Sequence, residues 1–380
     1  MKVAVLTSSR ADYSLLYPLL IKLKQDGYFN LNILAFGTHL SKKHGYTVDA
    51  ILNDGFEVAY YVDTNPTSDK PFSISKAMGM VIKKFSGIWK KEKFDLIISI
   101  GDRFEMFAAC AASIPFNIPI AHIHGGETTL GAIDDIFRHS ITQMSTFHFT
   151  AADTYKRRVI ALKGSDKNIY NVGALSIDNL VSQKLLSKES FKNKFHIDIS
   201  IPSILITFQP ETVNHNKNKE YINVLIDSLS ELKNFQLIIT MPNADTMGNY
   251  IRKKLEQFII KNENAIKVES FGTIGYLTCM KYCTMLLGNT SSGFIEAAYF
   301  PKYVINLGNR QLGRLVTSNI KNVTIEKSEI LKAVGEYQNI NFPDYNGVYG
   351  SGNAADNIVS IIKLHYNHIY TSKVYILKWN

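Results

Sequence analysis

The sequence predicts an α/β protein built from two successive doubly wound parallel sheets. Three observations carry this. Short apolar runs that end in polar, often Gly-containing loops alternate with segments of helical period along nearly the whole chain. Runs such as Leu96–Ile100 are apolar throughout rather than alternating, the pattern of a parallel strand covered on both faces. The pattern then breaks at a polar, Lys- and Ser-rich connection over Leu175–Ser200 and restarts beyond it.

In the first half, the run Lys2–Thr7 reads as a strand followed by the loop Ser8, Ser9, Arg10, Ala11, Asp12. Leu15, Leu16, Leu19, Leu20 and Leu23 then recur at helical spacing, which puts Arg10 and Asp12 at a helix N-terminus, where backbone N–H groups favour anions. An Asp cap with a surface Arg is the plainer alternative. A second strand, Leu31–Phe36, ends in Gly37, Thr38 and His39. The loop Asp63–Pro71 leads to an amphipathic segment, Ile74–Trp89. The strand Leu96–Ile100 stops at Gly101, Asp102 and Arg103, and Met106–Ile114 continues as a buried helix.

The next strand, IPIAHI, opens the densest chemistry in the chain, AHIHGGETTLGAIDDIFRHS from Ala121 to Ser140. His122 and His124 lie two apart and share a strand face, while Gly125 and Gly126 let the backbone turn and approach a ligand. Glu127, Asp134 and Asp135 bring three carboxylates into a span ending in Arg138 and His139. Loops at the carboxyl ends of parallel strands are where such sheets bind ligands. The alternative is a solvated turn before a helix capped by Asp134. Thr146–Thr150 and Ile169–Val172 complete this half.

In the second half, Ser203–Phe208 ends in Gln209, Pro210, Glu211 and Thr212, and Gln236–Thr240 is followed by Pro242, Asn243, Ala244 and Asp245. Ile266–Val268 follows, and Met285–Leu287 then runs into GNTSSG, from Gly288 to Gly293. A helix from about Phe294 carries Glu296, and the strand Tyr303–Leu307 leads to Gly308, Asn309 and Arg310. The GNTSSG loop offers hydroxyls, backbone N–H groups and a helix N-terminus, a combination that suits a phosphate or diphosphate. It lacks the lysine and spacing of a Walker loop, and no G-x-G-x-x-G follows the first strand, which disfavours ATP hydrolysis and dinucleotide binding. A Ser-rich cap is the plainer reading. Ala354–Tyr366 is a final amphipathic helix.

Composition bounds the partners. A length of 380 residues suits about two to three domains, and 46% hydrophobic with 20% charged residues is ordinary for a globular chain. The formal charge of +9 favours anionic ligands, but the lysines are scattered and no nucleic-acid module is present, so nucleic acid is not an expected partner. Cys110, Cys279 and Cys283 form neither a disulfide framework nor a metal-ligand pattern, so no metal is expected. MKVAVLTSS reads as a strand rather than a signal peptide, and no apolar run approaches a membrane span of about eighteen residues, so a cytoplasmic protein without membrane partners is expected.

The motifs SSRADYS, FGTHLSKKHGYT, GDRFE, HIHGGETTLGAIDDIFRHS, FQPET, PNADT, GNTSSGFIE and INLGNRQLGR together resemble the UDP-N-acetylglucosamine 2-epimerase family, specifically its hydrolysing branch in sialic-acid synthesis. The resemblance implies Rossmann-like domains over 1–175 and 176–353 in a GT-B arrangement, with the active site in the interdomain cleft and the helix at 354–366 a candidate to pack back on the first domain. It implies that Arg10 contacts the nucleotide diphosphate, with Asp12, Ser14, His39 and Arg103 also on the substrate. Thr290, Ser291 and Ser292 would hold the phosphates, Glu296 the ribose, and Arg310 the diphosphate or groups near it. Asn243 and Asp245 would line the sugar-nucleotide pocket. Asp102 and Asp134 match the catalytic carboxylates, and Arg138 belongs with them.

The implied reaction is anti elimination of UDP across C1 and C2 to a 2-acetamidoglucal, then hydration to free N-acetylmannosamine, the first step of sialic-acid biosynthesis, with no cofactor. The C2 proton is weakly acidic, so the reaction needs a positioned base and help for the departing diphosphate. Many relatives carry Glu at the position of His124 and His at that of Gln209. Glu127, with His124 as its hydrogen-bonding partner, is expected to supply the acid, and Gln209 can orient but not titrate. The same chemistry on UDP-2,4-diacetamido-2,4,6-trideoxyglucose, as in legionaminic-acid synthesis, is the alternative. A glycosyltransferase would need an acceptor, and a nucleotide-sugar sensor would form no product. A homodimer or homotetramer is expected.

Overall fold

The structure, a computed structural model, describes residues 1–369 apart from 43–44, 67, 69, 131–132, 212–214, 243–247 and 339–346. The chain forms two compact units. One comprises Met1–Glu127, Ile133–Asn179 and Tyr349–Asn380, the other Thr128–Ala132 and Leu180–Val348.

The first unit alternates strand and helix: β1 (Lys2–Thr7), α1 (Arg10–Gln25), β2 (Asn30–Phe36), α2 (Val48–Asn53), β3 (Val58–Val62), α3 (Pro71–Lys91), β4 (Leu96–Ile100), α4 (Phe104–Ser113), β5 (Ile120–Ile123), α5 (Asp134–Met144), β6 (Phe147–Thr150), α6 (Asp153–Lys163) and β7 (Ile169–Asn171). Its seven strands are ordered β3-β2-β1-β4-β5-β6-β7, and each paired neighbour is parallel. Val5 lies opposite both Ile33 and Ile98, so β1 is central, and its residues Val3 to Thr7 are buried. Ser9 starts α1 by accepting from the Asp12 N–H, and the helix buries Leu16, Leu19, Leu20 and Leu23 along one stripe. Each such side chain contributes about 1.5–3 kcal/mol by leaving water.

Strand β3 was not expected from the sequence. It is an edge strand with Tyr61 half exposed, so it lacks the apolar run that marks β4. The stretch read as a polar connection instead carries two helices, α7 (Leu175–Ser182) and α8 (Lys188–Phe195). Asp178 of α7 caps α14 (Ala354–Ile369): Oδ1 accepts from the Ala354 N–H at 3.0 Å and Oδ2 from the Ala355 N–H at 2.7 Å. Ala355, Ile358 and Ile362 of that helix join the core of the first sheet, and Lys363 pairs with Asp26 beyond α1.

The second unit contains β8 (Ser203–Thr207), α9 (Asn218–Leu229), β9 (Gln236–Thr240), α10 (Gly248–Ile260), β10 (Ala265–Val268), α11 (Gly272–Tyr282), β11 (Met285–Gly288), α12 (Glu296–Tyr299), β12 (Tyr303–Leu307), β13 (Ile320–Val323) and α13 (Lys327–Tyr337). Its parallel sheet runs β10-β9-β8-β11-β12-β13. Ile204 and Ile206 face one core and Leu205 the other, as the two-residue strand period requires. Strand β13 is a second unexpected edge strand, with only its two ends buried. The helix expected from Phe294 is instead a 3₁₀ turn at Ser291–Gly293 followed by the short α12.

Strand order reverses between β1 and β4 in one sheet and between β8 and β11 in the other. The loops leaving the carboxyl ends of those strands are the ligand-binding positions of doubly wound sheets. Among the described residues, no helix is long and apolar enough to cross a membrane.

Candidate active site

In the first unit, the loops after β4 and β5 converge on Arg138. This side chain is buried on α5. Its Nη1 donates to the His124 carbonyl at 2.8 Å, its Nη2 pairs with Asp102 Oδ2, and Nη1 lies 3.9 Å from Glu127 Oε2. Burial works against the guanidinium charge, but Asp102 and Glu127 outweigh it and hold the pKa above its ordinary value. Arg138 is thus engaged in orienting the acids.

His124 directly follows β5 with φ of 65°, the left-handed region that few non-glycine residues adopt. That turn aims its carbonyl at Arg138 and brings its Nδ1 to 2.5 Å from Glu127 Oε1. The carboxylate accepts this bond, so Nδ1 is its donor. Nε2 is shielded from solvent and has no hydrogen-bond partner among the described residues. Gly126, at φ of 79°, makes the turn possible: a Cβ there would lie 2.4 Å from the Tyr155 carbonyl oxygen.

Arg103 sits beside this cluster. It forms a two-pronged pair with the buried Glu105, at 3.2 Å from Nε and 2.9 Å from Nη2. Burial opposes its charge, while Glu105, Asp12 and Asp134 raise its pKa. Asp12 Oδ2 accepts from the Ser8 N–H at 2.9 Å and the Ser8 hydroxyl at 2.6 Å, so it braces the β1 loop. Burial and the nearby Asp102 charge push the Asp134 carboxyl above the usual carboxylate range. Asp134 lies in the first turn of α5 but does not cap it; Ile133 occupies the cap position.

Arg10 and Ser14 are exposed on the first turns of α1. His39, expected on the substrate, is braced by hydroxyls on both ring nitrogens. It is fully buried, with Nε2 2.8 Å from the Thr7 hydroxyl and Nδ1 2.9 Å from that of Thr47, so both nitrogens are occupied. It ties β1 to the segment after β2.

In the second unit, the β8 and β11 loops are laced together. Asn289 is fully buried; its Oδ1 accepts from the Gln209 N–H at 2.7 Å and its Nδ2 donates to the Gln209 carbonyl at 2.8 Å. Arg310 Nη1 and Gln311 Nε2 each donate to the Asn289 carbonyl at 3.0 Å. Beyond it, the Ser292 hydroxyl lies 3.1 Å from that of Thr290 and 2.8 Å from Tyr276 OH, while Ser291 is exposed. Buried Glu211 accepts from the Asn309 N–H at 2.9 Å, which fixes the loop that carries Arg310. Glu296 opens α12.

Asn243 and Asp245 lie outside the described residues. Site reasoning from the sequence assigned no role to Glu105, Asn289, Tyr276 or Glu211, although GDRFE, GNTSSG and FQPET contain three of them. They act on backbone or on other side chains, and a motif does not show such partners. The three cysteines are buried and free, and no group of three or more His, Cys, Asp or Glu among the described residues could hold a metal ion.

These features define a two-unit α/β protein that carries acid–base groups at the switch point of one sheet and a hydroxyl-rich, anion-suited loop at that of the other. The chain belongs to the UDP-N-acetylglucosamine 2-epimerase family, whose model matches residues 21–363. It is 34% identical over 320 residues to the hydrolysing GDP/UDP-N,N'-diacetylbacillosamine 2-epimerase of Campylobacter jejuni, covering 84% of this chain and 83% of that protein. It is 32% identical over 367 residues to the polysialic acid biosynthesis protein P7 of Escherichia coli, covering 95% of this chain and 93% of that protein. The UDP-GlcNAc 2-epimerase of Neisseria meningitidis, solved bound to UDP-GlcNAc, shares the fold with a TM-score of 0.81 at 18% identity, over 96% of this chain and 100% of that one.

Proposed function

We propose that the chain is a hydrolysing 2-epimerase that converts UDP-N-acetylglucosamine and water to N-acetylmannosamine and UDP. The observation that carries this reading is the cluster of Asp102, Arg138, His124 and Glu127 at the carboxyl ends of adjacent strands. It supplies a base, a charge-holding arginine and further carboxylates. The His124–Glu127 pair takes the C2 proton as the C1–O bond breaks and UDP leaves, giving the 2-acetamidoglucal. Thr290, Ser291, Ser292 and Arg310 hold the diphosphate, Arg10 adds charge to it, and Glu296 takes the ribose. Water then adds at C1 while C2 is protonated from the opposite face. Asp134, whose carboxyl is held above the usual carboxylate range, gives the proton to C2, and the Asp102 carboxylate takes the proton of the water. Gln209 orients without titrating, and Asn243 and Asp245 line the pocket. The proposed enzyme works in the cytoplasm as a homo-oligomer.

A second reading changes only the sugar, to UDP-2,4-diacetamido-2,4,6-trideoxyglucose. The 34%-identical Campylobacter relative, a diacetylbacillosamine 2-epimerase by name, favours it. Incubating the protein with each nucleotide sugar, alone and in deuterium oxide, tests both. The expected result is UDP and free sugar deuterated at C2 from one of them. The faster substrate decides between the readings, and two intact substrates after long incubation overturn both.

A further inference from the structure

Resting on the activity proposed above, we infer that His122 is a positioning residue that holds the Asp102–Arg138 pair from both sides as a neutral ring with a fixed tautomer. His122 lies on β5 with no exposed surface. Its Nε2 is 2.8 Å from the Gly101 carbonyl oxygen, which can only accept, so Nε2 carries the proton. Burial holds the ring pKa down at about 3, so Nδ1 keeps its lone pair. That lone pair accepts from the Thr142 hydroxyl at 3.1 Å.

The two partners matter because of what adjoins them. The Gly101 carbonyl belongs to the peptide that leads directly into Asp102, and fixing that plane fixes where the Asp102 side chain starts. Thr142 is buried on α5 one turn beyond Arg138, so its bond fixes the rotation of the helix that delivers the guanidinium. A single ring therefore sets the approach of both members of the ion pair. Gly125 leaves the room: a Cβ there would lie 3.1 Å from both His122 Nδ1 and Thr142 Oγ1, pressing on the bond between them.

Gln at 122 can present an amide near the Nε2 position, and Asn one near the Nδ1 position. His122→Gln is expected to keep the link to Gly101 and retain activity within about tenfold. His122→Asn is expected to lose about 10²-fold in kcat, the usual cost of displacing a reacting group by about 1 Å, with KM changed by less than about threefold. Thr142→Val removes only the hydroxyl donor and is expected to lower kcat about tenfold at unchanged UDP affinity. Equal losses in the Gln and Asn variants, or losses that fall on UDP affinity as much as on kcat, overturn the inference. Crystal structures of the same variants separate its failure from that of the activity. Whatever sugar wild type turns over, the Asn variant should show the Asp102–Arg138 pair displaced, and an undisturbed pair refutes the positioning role. Histidine nitrogen NMR of wild type should show Nε2–H for His122, and the other tautomer also refutes it.

Discussion

Gly126→Ala puts the turn between β5 and Glu127 under a defined load. The added Cβ would stand 2.4 Å from the Tyr155 carbonyl oxygen and 2.9 Å from Val159 Cγ2, and the first of these is backbone of α6, which no rotamer change can clear. The residue also sits at φ of 79°, where an L side chain costs about 1–2 kcal/mol. Overpacking adds about 1–3 kcal/mol. The sum, about 2–5 kcal/mol, lowers the melting temperature of the first unit by on the order of 10 °C. Relief by moving the loop displaces Glu127, and about 1 Å there costs about 10²-fold in turnover. Calorimetry and UDP release read the two effects, with Gly27→Ala as control because a Cβ at Gly27 meets nothing within 4 Å. A Gly126→Ala protein that melts within about 2 °C of wild type and turns over normally refutes the reasoning.

Asp102→Asn and Asp134→Asn are expected to bind UDP as wild type does, by calorimetric titration, while losing most turnover; unchanged turnover in either removes that carboxylate from the mechanism. Because the folded-state pKa of Asp134 lies above its ordinary 3.8, its ionisation costs stability as pH rises past that value. Asp134→Asn should therefore be the more urea-resistant protein at pH 7, with the gap closing below about pH 4. Asn289→Ala removes the side-chain bonds to the Gln209 N–H and carbonyl, at about 1–3 kcal/mol each, and should weaken UDP binding by loosening the loop whose backbone carbonyl holds Arg310. Burial holds the rings of His39, His122 and His148 at pKa values of about 4, 3 and 3, so each favours the folded state above pH 6.5 and loses that contribution as pH falls toward its folded value. Each contributes about 1.4 kcal/mol per pH unit, and a urea midpoint that stays level from pH 6.5 to 5 contradicts this.

The central strands were legible because they are buried on both faces and their apolar runs are uninterrupted. Strands β3 and β13 were not, since an edge strand covered on one side carries a mixed pattern that matches a loop as well. The helices α7 and α8 were hidden by their short length and the polar residues around them; Leu175 anchors the first in the core, and its Asp178 contact with Ala354 and Ala355 spans 176 and 177 residues of sequence. At the site, the motifs name candidate residues but not their hydrogen-bond partners, and His39 is an instance. Its neighbours in FGTHL give no sign that Thr7 and Thr47 would occupy both nitrogens. Asn289 and Glu105 escaped for the same reason, because hydrogen-bond partners brought together by the sheet leave no periodic trace.

The placement of α14 has a consequence for the order of assembly on the ribosome. The first sheet emerges early, yet the helix that covers part of its core follows every residue of the second unit. Domains usually close in the order they are translated. Here the unit that begins first finishes last, and the nascent chain holds an open apolar face until the Asp178 carboxylate finds the N–H groups of Ala354 and Ala355. A chaperone that shields that face during synthesis would act on this chain longer than on one whose units are contiguous.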